Sequence, residues 1–210
     1  MKLQLALDVL ETGEAIRLAQ ITSDSVDIIE IGTPLIKHEG LYVLTSLREQ
    51  FPDKEILVDL KTMDVGEYES DFCFDNGADI VTVLGVADNE TIKGSIKSAQ
   101  KYNKKVMVDL INVFDKSKRA VEAEKLGCHF IGIHTGIDQQ NRNQTPLNDL
   151  ITISKVVNSP IVVAGGITLE NIDLISVHKP ELVVVGSAIT SSSDPAFTAR
   201  KIKQRMKQHV

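Results

Sequence analysis

The sequence predicts an α/β protein of the (β/α)8 TIM-barrel class, folded as one domain over residues 1–210. Three observations carry this. Short β-branched, apolar runs recur eight times along the chain, and amphipathic segments with apolar residues at helical spacing fall between them. The runs start near residues 3, 26, 55, 79, 104, 129, 160 and 181, a repeat of about 25 residues, which holds a strand, a crossover helix and two short loops. Eight right-handed crossover units close naturally into a barrel. An open doubly wound sheet is the alternative, because alternation alone does not distinguish the two.

Taken in order, the strands are expected at Leu3–Leu7, Val26–Ile31, Glu55–Leu60, Asp79–Leu84, Lys104–Leu110, His129–His134, Pro160–Ala164 and Glu181–Val185. Their apolar character is nearly continuous, as expected where both faces of a parallel sheet are buried. Helices are expected at Glu14–Ile21, Gly66–Asn76, Asn89–Tyr102, Lys116–Leu126, Leu147–Val157 and Leu169–Val177. Gly77 and Gly127 each follow a helix and precede a strand, where a left-handed residue is wanted. Asp194-Pro195 reads as the N-cap and first residue of a final helix, whose solvated face takes the basic run from Arg200 to Arg205.

Composition narrows the function classes. Apolar residues make up 42% of the chain and charged residues 25%, and the apolar runs fall far short of the ~20 residues that cross a bilayer. Twenty-nine acids against 23 bases give a net charge of −6, with no basic block suited to nucleic acid. The N-terminus reaches Asp8 without the apolar stretch of a signal peptide, so a cytoplasmic location is expected. In a reducing compartment Cys73 and Cys128 read as idle thiols rather than a disulfide.

In a barrel of this kind chemistry gathers where the strands end, and these strands end in Asp8, Glu30, Asp59 with Lys61 and then Asp64, Asp109, and His134. All are expected on one rim. Asp59 and Lys61 alternate along a strand and so share a face, where flanking carboxylates keep the ammonium charged. A buried structural ion pair is the competing reading of this cluster. Glu30, an acid inside an apolar strand, forms with Asp59 a pair of hard oxygen donors suited to Mg2+; a Glu30 that is hydrogen-bonded or paired with Lys61, without a metal, is the alternative. His134 faces this cluster with a near-neutral reference pKa, as a general acid or base requires. Gly165 and Gly166 follow the seventh strand, and Gly186 and Ser187 follow the eighth, each leading toward a helix start. Backbone N–H groups there are open to a phosphate.

The motifs Leu5-Ala6-Leu7-Asp8, Asp27-Ile28-Ile29-Glu30-Ile31-Gly32-Thr33, Asp59-Leu60-Lys61-Thr62-Met63-Asp64-Val65-Gly66-Glu67, Gly77-Ala78-Asp79-Ile80-Val81-Thr82-Val83-Leu84-Gly85, Val163-Ala164-Gly165-Gly166-Ile167 and Val184-Val185-Gly186-Ser187-Ala188-Ile189 together resemble the orotidine 5′-phosphate decarboxylase superfamily. Within it the chain resembles the 3-hexulose-6-phosphate synthase branch. The 3-keto-L-gulonate-6-phosphate decarboxylase branch is similar at Asp8, Glu30, Asp59, Lys61, Asp64 and His134. It typically has an arginine where Ile137 stands, another at the Ser187 position, and Ile-Ala in place of Thr62-Met63. Orotidine 5′-phosphate decarboxylase itself has a further lysine ahead of the motif, where Leu57 and Val58 stand.

The resemblance implies a Mg2+-dependent aldol addition of D-ribulose 5-phosphate to formaldehyde, giving D-arabino-hex-3-ulose 6-phosphate, the entry step of the ribulose monophosphate pathway. In that scheme Glu30 and Asp59 hold Mg2+, Lys61 contacts the enediolate oxygens, His134 removes the C1 proton, and Asp8 and Asp64 orient substrate hydroxyls or Lys61. No organic cofactor is implied. The resemblance also implies a homodimer in which Asp64 reaches the neighbour's site. Two other classes stand beside this one: the related decarboxylase, and a sugar-phosphate-binding barrel without turnover.

Overall fold

The computed structural model describes residues 1–142 and 144–209. Its elements follow in the order β1 (Lys2–Leu7), α1 (Thr12–Thr22), β2 (Ile28–Ile31), α2 (Thr33–Glu39), α3 (Leu41–Gln50), β3 (Glu55–Thr62), α4 (Gly66–Asp75), β4 (Ile80–Leu84), α5 (Asn89–Tyr102), β5 (Lys105–Asp109), α6 (Lys116–Leu126), β6 (Phe130–His134), α7 (Ile137–Gln140), α8 (Leu147–Ile153), β7 (Ile161–Ala164), α9 (Ile172–Ser176), β8 (Leu182–Val185), α10 (Ser187–Thr190) and α11 (Pro195–Lys207). The strands pair in parallel with their sequence neighbours, and β8 returns to β1, closing the barrel. Closure decides between the two architectures that alternation left open.

Two apolar layers hold it together. One lies between sheet and helices, where outward residues such as Leu5, Ile29, Val58, Val81, Val108, Ile131, Val163 and Val183 pack against the helices. The other plugs the barrel with Ile28, Leu57, Ile80, Met107, Phe130, Val162 and Leu182. At the end where strands begin, charged pairs tie the rim: Glu55 lies 2.7 Å from Lys2 and 3.0 Å from Lys105, and Asp79 lies 2.5 Å from Arg48 and 2.6 Å from Lys104. Keeping polar groups for pairing at this end and for chemistry at the other is the usual division of a barrel.

Local signals account for several boundaries. Asp88, Asp115 and Asp194 cap α5, α6 and α11 by accepting backbone N–H bonds from Glu90, Lys118 and Phe197, and Pro195 opens α11 as expected. β2 starts at Ile28 rather than Val26, because the Asp27 carboxylate turns aside to accept the Leu3 N–H at 2.7 Å. The pair α2 and α3 is the main departure from the expected helices. Gly40, at φ +62°, breaks what would be one amphipathic segment and blurs its period. α8 and α9 are also shorter than expected, ending at Ile153 and Ser176. Cys73 and Cys128 are buried free thiols. Among the described residues no helix is long and apolar enough to cross a membrane.

Candidate active site

Two residues beyond each member of the apolar plug, the inward side chains divide the barrel into two arcs. On β2 to β5 they turn polar: Glu30 above Ile28, Asp59 above Leu57, Thr82 above Ile80 and Asp109 above Met107. On β6 to β8 they stay small or aliphatic: Gly132, Ala164 and Val184. These residues floor a cavity of roughly 1180 Å³, generous for a small-molecule site. It opens where the strands end.

The charged arc is tightly interlocked. The buried Asp59 carboxylate accepts hydroxyl bonds from Thr33 at 2.8 Å and Thr82 at 2.7 Å, and pairs with the Lys61 ammonium. Lys61 reaches it through a bulge, not through plain alternation. Its backbone sits at φ +49°, the register with β4 shifts between Val58 and Thr62, and its N–H donates to the Thr82 hydroxyl. Burial opposes the charge on Lys61, but Asp59, together with Asp109 at 3.9 Å, outweighs it and raises the ammonium's pKa. Lys61 is therefore a fixed cation, as its neighbours in sequence suggest.

Asp109 ties this cluster to the histidine. Its buried carboxylate lies 2.8 Å from His134 Nδ1 and accepts the Ile111 N–H at 2.8 Å. Desolvation pushes Asp109 upward, yet the charge and hydrogen bond of His134 and the charge of Lys61 hold it below the usual carboxylate range. For His134 burial lowers the pKa, and Asp109 more than reverses this, leaving the imidazole raised. An ionised carboxylate only accepts, so Nδ1 carries the hydrogen and Nε2 is the free ring nitrogen.

Glu30 is buried, with Oε2 accepting the Gln4 amide at 2.6 Å; its partner is Gln4, not Lys61. Burial first and Asp59 next push its carboxyl up to about 8. Asp8, at the mouth beyond β1, is also raised, by loss of water around its carboxyl and by Asp59. It approaches so closely that a Cβ on Gly32 would lie 2.2 Å from Asp8 Oδ1. Carboxyls from Asp8, Glu30, Asp59 and Asp109 thus crowd Lys61 and His134, an excess of hard oxygen donors that a divalent cation would relieve. Among the described residues no three His, Cys, Asp or Glu side chains form a ready-made metal cage. The donor set fits Mg2+, which is commonly held by one or two carboxylates with water and substrate completing its shell.

Gly165, Gly166, Gly186 and Ser187 line the same cavity. The loops after β7 and β8 lie across the barrel from β3 and β4. Gly165 takes φ +104°, and a Cβ there would stand 2.1 Å from the Thr135 carbonyl oxygen, so the close passage of these loops requires glycine. The structure thus gathers Asp8, Glu30, Asp59, Lys61, His134 and all four loop residues around one cavity. Asp64 is the exception to the expected common rim. It is exposed, its Oδ1 accepts the Val65 N–H at 2.8 Å, and it does not line the cavity of its own chain.

Sequence reasoning missed the roles of Gln4, Thr33, Thr82 and Asp109. Gln4 and Thr82 had a signal, each being a polar residue inside an apolar strand. Asp109 was visible as a strand end, but its pairing with His134 depends on the register of β5 against β6, where Asp109 stands opposite Gly132.

The chain is similar to known proteins over nearly its whole length. Residues 1–202 match the family described as Orotidine 5′-phosphate decarboxylase / HUMPS family. A 3-hexulose-6-phosphate synthase of Methylomonas aminofaciens is 48% identical over 200 residues, covering 95% of this chain and 96% of that one. The crystal structure of 3-hexulose-6-phosphate synthase from Salmonella typhimurium superposes with a TM-score of 0.98 at 46% identity, covering 100% of both chains. KGPDC from Streptococcus mutans, solved as a ligand complex, matches at a TM-score of 0.92 and 27% identity over 99% of this chain and 97% of that one. The chain therefore belongs to the orotidine 5′-phosphate decarboxylase / HUMPS family and, within it, to the lyases of the 3-hexulose-6-phosphate synthase group.

Proposed function

We propose that this lyase joins D-ribulose 5-phosphate to formaldehyde, forming D-arabino-hex-3-ulose 6-phosphate with Mg2+ as its metal. The observation that carries the reading is the continuous chain Asp59–Lys61–Asp109–His134, facing glycine loops across one cavity. Forming a carbon–carbon bond next to a ketone requires a proton acceptor and a stabiliser for enediolate charge. This chain of residues contains both.

The glycine loops at Gly165, Gly166, Gly186 and Ser187 grip the phosphate, laying the sugar toward β3 and β5. His134 Nε2 takes a proton from C1, and the electron pair moves into the carbonyl to make the enediolate. Lys61, held cationic by its carboxylates, faces the developing oxygen charge. C1 then attacks the formaldehyde carbon, a carbon–carbon bond forms, the carbonyl π pair moves to oxygen, and the imidazolium returns its proton there. Asp109 holds the ring in the tautomer both transfers need. Asp8 orients substrate hydroxyls. Glu30 and Asp59 would hold Mg2+, which supplies further stabilisation of negative charge on oxygen.

Asp64 enters through a homodimer. It stands beside exposed Met63, Val65, Tyr68 and Phe72, the last two with ring centroids 4.4 Å apart. A clustered apolar surface of this kind supports an interface, and the dimer reading has Asp64 serving the neighbouring site. The decarboxylase alternative is disfavoured by Ile137 and Ser187, and a cytoplasmic location suits a small-molecule lyase. The test is direct: folded protein with Mg2+, ribulose 5-phosphate and formaldehyde, the product identified by NMR. Formaldehyde should disappear only when sugar phosphate and metal are both present, and absence of the hexulose phosphate would overturn the proposal.

A further inference from the structure

Beneath the charged arc lies a side chain that the chemistry above leaves without a task. Gln4 is 1% exposed, on the inner face of β1, opposite Ile28 on β2 and Val184 on β8. Its Nε2 donates to Glu30 Oε2 at 2.6 Å, and its own Oε1 is buried with no hydrogen-bond partner among the described residues. A bare buried acceptor is a cost that an apolar side chain of the same length would not carry. Among the described residues the amide's sole hydrogen bond is therefore with Glu30. Glu30 makes no other side-chain hydrogen bond among the described residues, whereas Asp59 has Thr33, Thr82 and Lys61.

We infer that Gln4 is a positioning residue: its amide pins Glu30 Oε2 so that Oε1 is presented to the cavity as a metal ligand. The inference rests on the proposed metal-binding role of Glu30. It assigns Gln4 a task at one remove, because a ligand carboxylate needs a fixed orientation as well as proximity. Partners of this kind, removed, typically cost tenfold to a hundredfold in metal affinity.

The experiment uses Mn2+, a hard cation with the octahedral oxygen preference of Mg2+, titrated into folded protein with ribulose 5-phosphate present and free Mn2+ read by electron paramagnetic resonance. Gln4→Met matches the length and removes the donor; Gln4→Asn keeps an amide but withdraws it from Glu30, serving if the first variant folds poorly. Either should raise the Mn2+ Kd about tenfold to a hundredfold, and Glu30→Gln should raise it at least as much. A merely structural glutamine would lower the melting temperature of the metal-free protein and leave the Kd unchanged. Wild-type affinity in the folded Gln4 variants, with affinity lost in Glu30→Gln, would overturn the inference alone. Wild-type affinity in Glu30→Gln would overturn the Glu30 assignment and this inference with it.

Discussion

Glu30→Gln isolates what it costs to keep a carboxyl inside the barrel without a cation. In the metal-free protein, burial and then the charge of Asp59 push this group from 4.5 up to about 8. The unfolded chain releases the proton near the lower value and the folded chain near the higher, so between them the unfolded state binds fewer protons. Stability therefore falls as pH rises through that window. At about 1.36 kcal/mol for each pH unit, the penalty grows to on the order of 5 kcal/mol by pH 8 and vanishes toward the lower end. The glutamine variant has the same length, cannot ionise, and can still accept the Gln4 amide through its carbonyl oxygen. Urea unfolding in EDTA should show the variant more stable than wild type at pH 8, with the gap shrinking steeply by pH 5. Titrating groups remote from Glu30 are common to both proteins and cancel in the comparison. Adding Mg2+ with ribulose 5-phosphate should stabilise wild type far more than the variant. A wild-type-to-variant difference that stays flat from pH 5 to pH 8 would refute the reasoning.

Asp109→Asn should cut C1 proton exchange of ribulose 5-phosphate in D2O by about 10²–10⁴, the range for a positioned base, and move the acid limb of the pH profile downward, since loss of the neighbouring negative charge lowers the His134 pKa. NMR reads both, and unchanged exchange with an unmoved limb would exclude His134 as the base. Gly165→Ala, forced to φ +104° against the Thr135 carbonyl, should lose about 1–3 kcal/mol of unfolding free energy and raise the KM for sugar phosphate; a wild-type urea midpoint would contradict it. Lys61→Ala and Asp64→Ala, each inactive alone, should regain activity when refolded together, whereas a fully active 23.1 kDa monomer in sedimentation would remove Asp64 from the partner's site.

The barrel was legible because its strands are short apolar runs bounded by glycine and acid, recurring eight times at a mean spacing of about 25 residues. The boundaries of α5 and α6 also agree with the expected residues, since both carry aspartate caps and helical periods. What escaped depended on tertiary placement. The break at Gly40 hides two helices within one segment, and the bulge at Lys61 brings it to Asp59 by a route that strict alternation does not describe. A strand-end acid such as Asp109 and a strand-end histidine such as His134 are each visible alone. That they form a pair follows from the parallel register and from Gly132, where a Cβ would already lie 3.0 Å from the Met107 sulfur.

The division of the barrel's upper layer into a charged arc and a small-residue arc explains why the proposed reaction needs so few groups. In the proposed reaction the glycine loops would receive the phosphate through backbone N–H groups, which supply positive potential, with Arg142 lining the same cavity. Lys61 is thereby left to the carboxylates and the enediolate. Above them, Ile137 lies at the mouth of the cavity, 70% exposed. An arginine in its place would add a cation and a proton source near the nascent carbanion. An isoleucine adds neither. In the proposed reaction the carbanion would then meet fewer competing proton donors while it waits for an aldehyde, favouring capture by a small uncharged carbonyl over simple protonation. Ile137→Arg should accordingly slow hexulose phosphate synthesis while leaving C1 exchange in D2O within a few-fold of wild type, because the proposal assigns proton removal to His134, held by Asp109. Loss of both in equal measure would show that Ile137 serves enolisation itself and not the choice of electrophile.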